Sequence, residues 1–345
     1  MHALTQDRKT APGSRTPDPG SRPLLKWAGG KRQLLPVLQT LYPTQFKRYI
    51  EPFFGSGAVF FDLYARGLLH RRKAQLVDAN PDLVGCYRML RDRTEEVIRE
   101  LEALADEHQA GGDVFFYEVR DGRFNPARLG GGASKRAPAS AAAAYTPELA
   151  AMLIYLNRTG FNGLFRLNRR GEFNVPAGRY VNPSICDMRH LRSVASALQQ
   201  RGVSVELGSF ERSLADAGDG DFIYCDPPYE PLSRTASFAS YTAHGFTATD
   251  QKRLQQEAIA AARRGAHIVL SNSSAPLIES LYTSAEAQDA GLILRRVPAR
   301  RAINSKAALR GPVDEVIVTN APTGPLLAIH PKMLQARLRR TSRTA

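Results

Sequence analysis

The sequence predicts an α/β chain built on a doubly wound, Rossmann-like parallel sheet. Three strand ends carry that expectation. Residues 49–61 read as a strand, a glycine turn and a helix start. Residues 74–77 read as a second strand, ending at Asp78. Residues 222–225 read as a short buried strand that runs into Asp226-Pro227-Pro228-Tyr229. Ligands of open α/β sheets bind outside the carboxyl ends of the strands. The Gly55/Gly57 turn, Asp78 and Asp226 therefore define one candidate site.

A chain of 345 residues can bury one large core, or one core and a smaller domain. Hydrophobic content of 43% and charged content of 23% are ordinary for a globular protein. The net charge of +14 is not, and it implies an anionic partner, nucleic acid or an anionic membrane surface. No apolar run approaches the about 18 residues of a membrane span, and the first residues lack the apolar core of a secretory signal. Cys86, Cys186 and Cys225 are far apart, with no zinc spacing. We expect no metal, no disulfide scaffold and a reducing, cytoplasmic setting.

In chain order, residues 1–22 read as a disordered tail and order begins at residue 24. Lys26-Trp27-Ala28-Gly29-Gly30-Lys31-Arg32 resembles a phosphate loop but fails the Walker pattern, because Leu25 stands for Gly and Arg32 for Ser or Thr. Trp27, the single tryptophan, fits a core position or a ligand contact beside the glycines. Residues 33–41 have helical spacing. Glu51-Pro52-Phe53-Phe54-Gly55-Ser56-Gly57 holds the first two glycines of a dinucleotide fingerprint, but Phe60 occupies the third position. That bulk suits a nucleoside without phosphates. Asp78 lies about 20 residues past the glycines, where a carboxylate bonds ribose hydroxyls. It fits equally the N-cap of the next helix.

Residues 83–104 predict one long amphipathic helix. Residues 122–147, rich in Gly, Ala, Ser and Pro, read as a mobile surface insertion. Residues 148–157 read as a buried helix. The stretch 157–180 alternates arginine with aromatic residues and Asn, punctuated by glycine, and 168–171 suits a hairpin turn. It fits a solvated basic hairpin or a nucleic-acid reader, and the overall charge favours the reader. Helices are expected over 184–200 and 249–264, and strands over 203–207, 266–270, 292–297 and 313–318. A basic loop at 300–306 suits a phosphate backbone. The basic last dozen residues are expected to fray.

Pro227 and Pro228 end their strand, because proline fixes φ and has no N–H for a ladder. Asp226 and the Pro227 carbonyl then offer two acceptors on a stiff loop, with the Tyr229 ring nearby. Alone, these residues fit a strand-to-loop exit as well as a site.

The order Lys26-Trp27-Ala28-Gly29-Gly30-Lys31, Glu51-Pro52-Phe53-Phe54-Gly55-Ser56-Gly57, Asp78-Ala79-Asn80 and Asp226-Pro227-Pro228-Tyr229 resembles the DNA adenine methylase (Dam) family. Its members are S-adenosylmethionine-dependent N6-adenine DNA methyltransferases. The resemblance covers roughly residues 24–320, and 157–180 looks like the family's target-recognition hairpin. It implies a discontinuous catalytic domain, 23–82 and 184–322, around a small, mostly helical recognition domain, 83–183, with a basic tail at 323–345. By the same resemblance, Trp27, Lys31, Phe53, Gly55, Gly57, Asp78 and Asp226 would bind the cofactor. Asp226, Pro227 and Tyr229 would hold the target base. Lys26, Phe161, Asn162, Leu164, Arg166, Pro176 and Arg179 would contact the DNA, with Phe161 as a wedge where relatives often have Tyr.

The expectation is then a cytoplasmic, nucleoid-associated enzyme acting on adenine of double-stranded DNA, commonly in GATC. A monomer suits a short palindrome methylated one strand at a time, and a partner restriction enzyme is compatible with the sequence. The rival readings are an N4-cytosine methyltransferase and a DNA-binding homologue without catalysis. Asp rather than Ser at 226 favours adenine over the first, and intact Asp226, Tyr229, Gly55 and Gly57 speak against the second.

Overall fold

The computed structural model describes residues 22–27, 31–130, 142, 144–232, 245–300 and 312–321. Residues 1–21 of the expected 1–22 tail, the expected tail at 323–345, Ala28-Gly29-Gly30, residues 301–306 of the basic loop, and 131–141 and 143 of the low-complexity stretch lie outside the described residues.

Seven strands form one sheet in the order β3-β2-β1-β4-β5-β7-β6. They are β1 (Arg48–Glu51), β2 (Lys73–Asp78), β3 (Val203–Leu207), β4 (Asp221–Cys225), β5 (His267–Ser273), β6 (Ile293–Arg300) and β7 (Pro312–Thr319). The first five run parallel, while β7 is antiparallel to both β5 and β6. The predicted α/β sheet is therefore present, with an antiparallel closing pair. All five residues of β4 are buried, as a central strand covered on both faces requires. The chain winds outward from β1 through β2 to β3 and then returns to β4 on the other side. The β1/β4 boundary is thus the topological switch point, the place where open α/β sheets bind ligands at their carboxyl ends. At the opposite ends of this pair, Arg48 binds Asp221 through two hydrogen bonds of 2.9 and 2.7 Å.

The helices are α1 (Leu35–Leu38), α2 (Ala58–Ala65), α3 (Pro81–Asp92), α4 (Thr94–Tyr117), α5 (Asn125–Gly130), α6 (Pro147–Thr159), α7 (Met188–Leu198), α8 (Phe210–Leu214), α9 (Ala248–Arg263), α10 (Pro276–Tyr282) and α11 (Ala285–Asp289). One hydrophobic cluster runs from Leu76 on β2 through Leu83 and Leu101 to Phe116, Leu156 and Phe173. Among the described residues, no helix is long and apolar enough to cross a membrane.

Three expectations need correction. The predicted helix over 33–41 is broken into α1 and two flanking 3-10 turns, Lys31–Gln33 and Gln39–Leu41. Pro36 in the first turn of α1 removes a backbone donor there. The single helix over 83–104 is two helices, parted at Arg93 (φ −132°, ψ 42°), and the second runs on to Tyr117 across a kink at Gly112 (φ 50°, ψ −131°). The Thr94 hydroxyl takes the Leu90 carbonyl at 2.7 Å, a local bond that competes with the helical one. The apolar stripe continues across this break, so periodicity hides it. Third, residues 122–130 of the expected 122–147 insertion are helical: a π-helical stretch, Glu118–Phe124, leads directly into α5. Phe124 and Asn125 are buried. Composition concealed these few anchoring side chains among glycines and alanines.

Candidate active site

The β1–α2 turn is set by glycines. Gly55 (φ 49°) and Gly57 (φ 67°) occupy the left-handed region, and Gly57 is also the N-cap of α2. A Cβ on Gly57 would lie 2.4 Å from the Phe54 ring, and one on Gly55 would meet Trp27 at 3.3 Å. Close approach of backbone and rings requires glycine at both positions. Phe60, at the third fingerprint position, is buried against Phe54 and Phe61.

Asp78 ends β2 and lies against this turn. Its Oδ2 accepts the Gly55 N–H at 2.9 Å and its Oδ1 the Asn80 N–H at 2.8 Å. The cap of α3 is Asn80, whose side chain accepts from Asp82 and Leu83. Asp78 is therefore not that cap, and one of its two sequence readings is removed. The Ala79 N–H also donates to this carboxylate, and the acceptor capacity that remains can take a ligand hydroxyl. Burial raises the Asp78 carboxyl above its usual range, against the backbone bonds that lower it. Beside it, Phe53 stacks on Phe210 at 5.5 Å and meets Phe246 edge-on at 5.6 Å. Glycine backbone, a carboxylate and an aromatic wall fit the sugar and ring of a nucleoside.

The Asp226-Pro227-Pro228-Tyr229 loop leaves β4 beside this cradle. Lys31 Nζ lies 2.9 Å from Asp226 Oδ1, with side-chain exposures of 5% and 20%. The Ser271 hydroxyl donates to the same oxygen at 2.9 Å. Both contacts among the described residues fall on Oδ1, which leaves Oδ2 to accept from a substrate. Burial raises the Asp226 carboxyl above the usual carboxylate range, opposed by the Lys31 charge and by the hydrogen bonds from Lys31 and Ser271. Lys31 Nζ also sits 4.5 Å from the centre of the Tyr229 ring. The Tyr229 hydroxyl donates to Glu315 on β7 at 2.8 Å. Burial pushes the Tyr229 phenol well up, so the ring is neutral.

The loop is also held from behind. Gln251 donates to the Pro228 carbonyl at 3.0 Å, Asn272 Oδ1 accepts from the Glu230 N–H at 3.2 Å, and the Ser273 hydroxyl donates to the Glu230 carbonyl at 2.6 Å. Asn272 in turn donates to Gln251 at 3.1 Å. Ser271, Asn272, Ser273 and Gln251 are all buried. Sequence reasoning assigned none of them, nor Glu315, Phe210 or Phe246. The run Ser271-Asn272-Ser273 ending an apolar strand was the one available signal, since buried polar groups need partners.

A second surface gathers the residues expected to contact DNA. Asn157 is buried and bonds Lys26 through both its backbone N–H and its carbonyl, and the Gly163 carbonyl as well, each at 2.8 Å. The 157–180 stretch then folds back on itself with two isolated antiparallel bridges, Gly160 to Ala177 and Leu167 to Phe173. The Phe161 N–H donates to the Pro176 carbonyl at 2.9 Å. Lys26, Phe161, Asn162, Arg166, Pro176 and Arg179 are exposed, Phe161 at 47%, while Leu164 is half-buried. Lys26 Nζ lies 4.3 Å over the Tyr180 ring, and Arg166 is held on Asn174 Oδ1 at 2.8 Å. Trp27 joins the two surfaces: it borders the Gly55 turn and stacks on Phe165 at 5.6 Å.

Comparison with known proteins agrees with this arrangement. The family of D12 class N6 adenine-specific DNA methyltransferases matches residues 27–293. The Type II methyltransferase M1.LlaDCHI of Lactococcus lactis subsp. cremoris is 37% identical over 303 residues, covering 87% of this chain and 95% of that protein. The Type II methyltransferase M.MjaIII of Methanocaldococcus jannaschii is 36% identical over 310 residues, 87% of this chain and 99% of its own. The DNA adenine methylase of Escherichia coli K12 is 33% identical over 304 residues, 88% and 96% of the two chains. A glycine-turn cradle and a clamped acceptor loop, matched over most of the chain, identify it as a member of the D12 class of N6 adenine-specific DNA methyltransferases.

Proposed function

We propose that this enzyme methylates the N6 amino group of an extruded adenine in double-stranded DNA, with GATC as its preferred site. The observation that carries the reading is the clamp on Asp226. Its Oδ1 is engaged by Lys31 and Ser271, so Oδ2 is presented as a fixed acceptor beside the Pro227 carbonyl. Acceptors on the amino hydrogens draw the N6 lone pair out of the ring and make the nitrogen nucleophilic. The clamp fixes this acceptor before substrate arrives, so little reorganisation is needed during reaction. S-adenosylmethionine, which methyltransferases of this kind generally use, supplies an electrophilic methyl group when bound by Trp27, Lys31, Phe53, Gly55, Gly57 and Asp78. Tyr229, oriented by Glu315, stacks on the base, and Phe161 fills the gap left in the duplex. Extrusion costs a few kcal/mol of unstacking, which the wedge partly offsets.

In this reading, residues 23–82 and 184–322 carry the chemistry and 83–183 read the DNA. Lys26, Asn162, Leu164, Arg166, Pro176 and Arg179 approach base edges and phosphates. The protein acts as a monomer in the cytoplasm, at the nucleoid, alone or beside a restriction enzyme.

The test is incubation with labelled S-adenosylmethionine and duplexes with or without GATC, followed by identification of the modified nucleoside. N6-methyladenine confined to GATC duplexes is expected. Label in N4-methylcytosine, or no label, would overturn the assignment. Arg166→Ala is expected to lose about 1–3 kcal/mol of discrimination at a single base position, measured as the ratio of kcat/KM on duplexes differing there. Equal weakening on every duplex would instead make Arg166 a phosphate contact.

A further inference from the structure

The returning limb of the 157–180 stretch is braced by side chains from the preceding helical segment. Three alternate residues on it are held. The Arg120 guanidinium donates to the Val175 carbonyl at 3.0 Å. Asn125 pairs with both backbone groups of Phe173, donating to its carbonyl at 3.0 Å and accepting its N–H at 2.8 Å. Arg128 Nη1 donates to the Gly171 carbonyl. Residues two apart share one edge of an extended strand. Side chains from 120, 125 and 128 therefore do what a neighbouring strand would do, along an edge that has only isolated backbone bridges on its other side.

Arg128 also reaches α3. Its Nε and Nη2 bind Asp82 Oδ1 and Oδ2 at 2.7 and 2.8 Å, with side-chain exposures of 12% for Arg128 and 5% for Asp82. Tyr145 donates to the same carboxylate at 3.2 Å. Asp82 lies in the first turn of α3, just past Asp78 and the Asn80 cap. One guanidinium thus spans from the start of α3, at the carboxyl end of β2, to the turn at Gly171. Gly171 has φ 78°, and that turn is itself fixed by Asn168, whose Oδ1 accepts from the Arg170 and Glu172 N–H groups at 2.9 and 3.0 Å. Between the braced residues 173 and 175 lies Asn174, which holds the Arg166 guanidinium.

We infer that Arg128 and Asp82 are specificity-positioning residues: together they set the pose of the 171–175 limb and, through Asn174, aim Arg166 at its base. This rests on the reading of Arg166 as a base contact. Arg is suited to the task and Lys is not. The planar fork can bind a carboxylate with two nitrogens and still offer a third, whereas an ammonium keeps the charge and loses the span.

Arg128→Lys is the variant of choice, because it leaves the buried Asp82 carboxylate paired. Asp82→Asn/Arg128→Met, which removes both charges together, is the second. Each is compared with the parent and with Arg166→Ala for kcat and KM on the preferred duplex and on one altered at the base pair that Arg166→Ala identifies. S-adenosylmethionine affinity is measured by calorimetry. The expected result is a loss of about tenfold in discrimination at that base pair, with a raised KM for DNA. Cofactor affinity and kcat on the preferred duplex should stay within about threefold of the parent. A merely structural role would lower the active fraction on all duplexes alike and leave the discrimination ratio unchanged. If Arg166→Ala loses discrimination while a folded Arg128 variant retains it, the inference is overturned and the reading of Arg166 stands. If Arg166→Ala also retains it, that reading falls and takes the inference with it.

Discussion

Asp226→Asn is expected to lower turnover about a thousandfold while leaving the fold intact, a loss at the scale of removing one preorganised polar group from an active site. The reason lies in the two donors on Oδ1. Lys31 and Ser271 both need an oxygen facing them, so the asparagine keeps its carbonyl on that side. Its NH2 group then turns toward the substrate, where a donor meets the donor hydrogens of the adenine amino group. Asp226→Ala should also abolish transfer, but it takes the carboxylate away from an ammonium that is 5% exposed. Breaking a buried pair from one side costs up to about 3–5 kcal/mol, less here because Asp226 itself is partly exposed. The asparagine variant is therefore the cleaner measurement. Single-turnover assays with labelled donor, alongside calorimetry for the cofactor, check it. A folded Asp226→Asn enzyme within about tenfold of the parent would mean that the clamp does not orient the acceptor.

Lys31→Met is expected to move the acid limb of the activity profile to higher pH and to depress turnover at neutral pH. Burial already holds the Asp226 carboxyl above its ordinary value, and the Lys31 charge pulls it back down. Methionine keeps the packing but removes that pull, so the carboxyl rises further. The acceptor works only when ionised. Activity should fall by about tenfold for each pH unit below the new midpoint. Stability changes with the opposite dependence. A carboxyl raised in the folded state is harder to ionise there than in the unfolded chain. The variant therefore loses stability as pH climbs from the unfolded value, about 3.9, through the raised folded value, and the loss levels off above it. Profiles of kcat against pH and denaturant unfolding at several pH values test both statements. Superimposable profiles for variant and parent would remove Lys31 from any role in tuning Asp226.

The comparison of these two residues shows what sequence can carry. Asp226 was legible because its surroundings are local: a buried strand, two prolines and an aromatic ring within a few residues. The same holds for Gly55, Gly57 and Asp78, each at a strand end with its own turn chemistry. Lys31 was legible only as part of a glycine-flanked motif, and its contact with Asp226 was not. The residues behind the loop were less visible still. Ser271 reaches Asp226 across 45 residues and Glu315 reaches Tyr229 across 86. A hydroxyl or carboxylate on a strand does not announce which distant donor or acceptor the sheet order will bring beside it.

The helical character of 122–130, within the expected 122–147 insertion, was hidden for a related reason. Composition averages over a window, whereas Asn125 and Arg128 act through single bonds to Phe173, Gly171 and Asp82. By itself, the sequence determined the sheet class, the strand ends that frame the candidate site and the basic composition of 157–180, because those depend on short-range propensity and turn stereochemistry. The tertiary structure alone decided which side chains clamp Asp226, which brace the 171–175 limb and where the helices break. Those outcomes depend on strand order and on buried polar groups finding partners far along the chain, and no local pattern encodes that pairing.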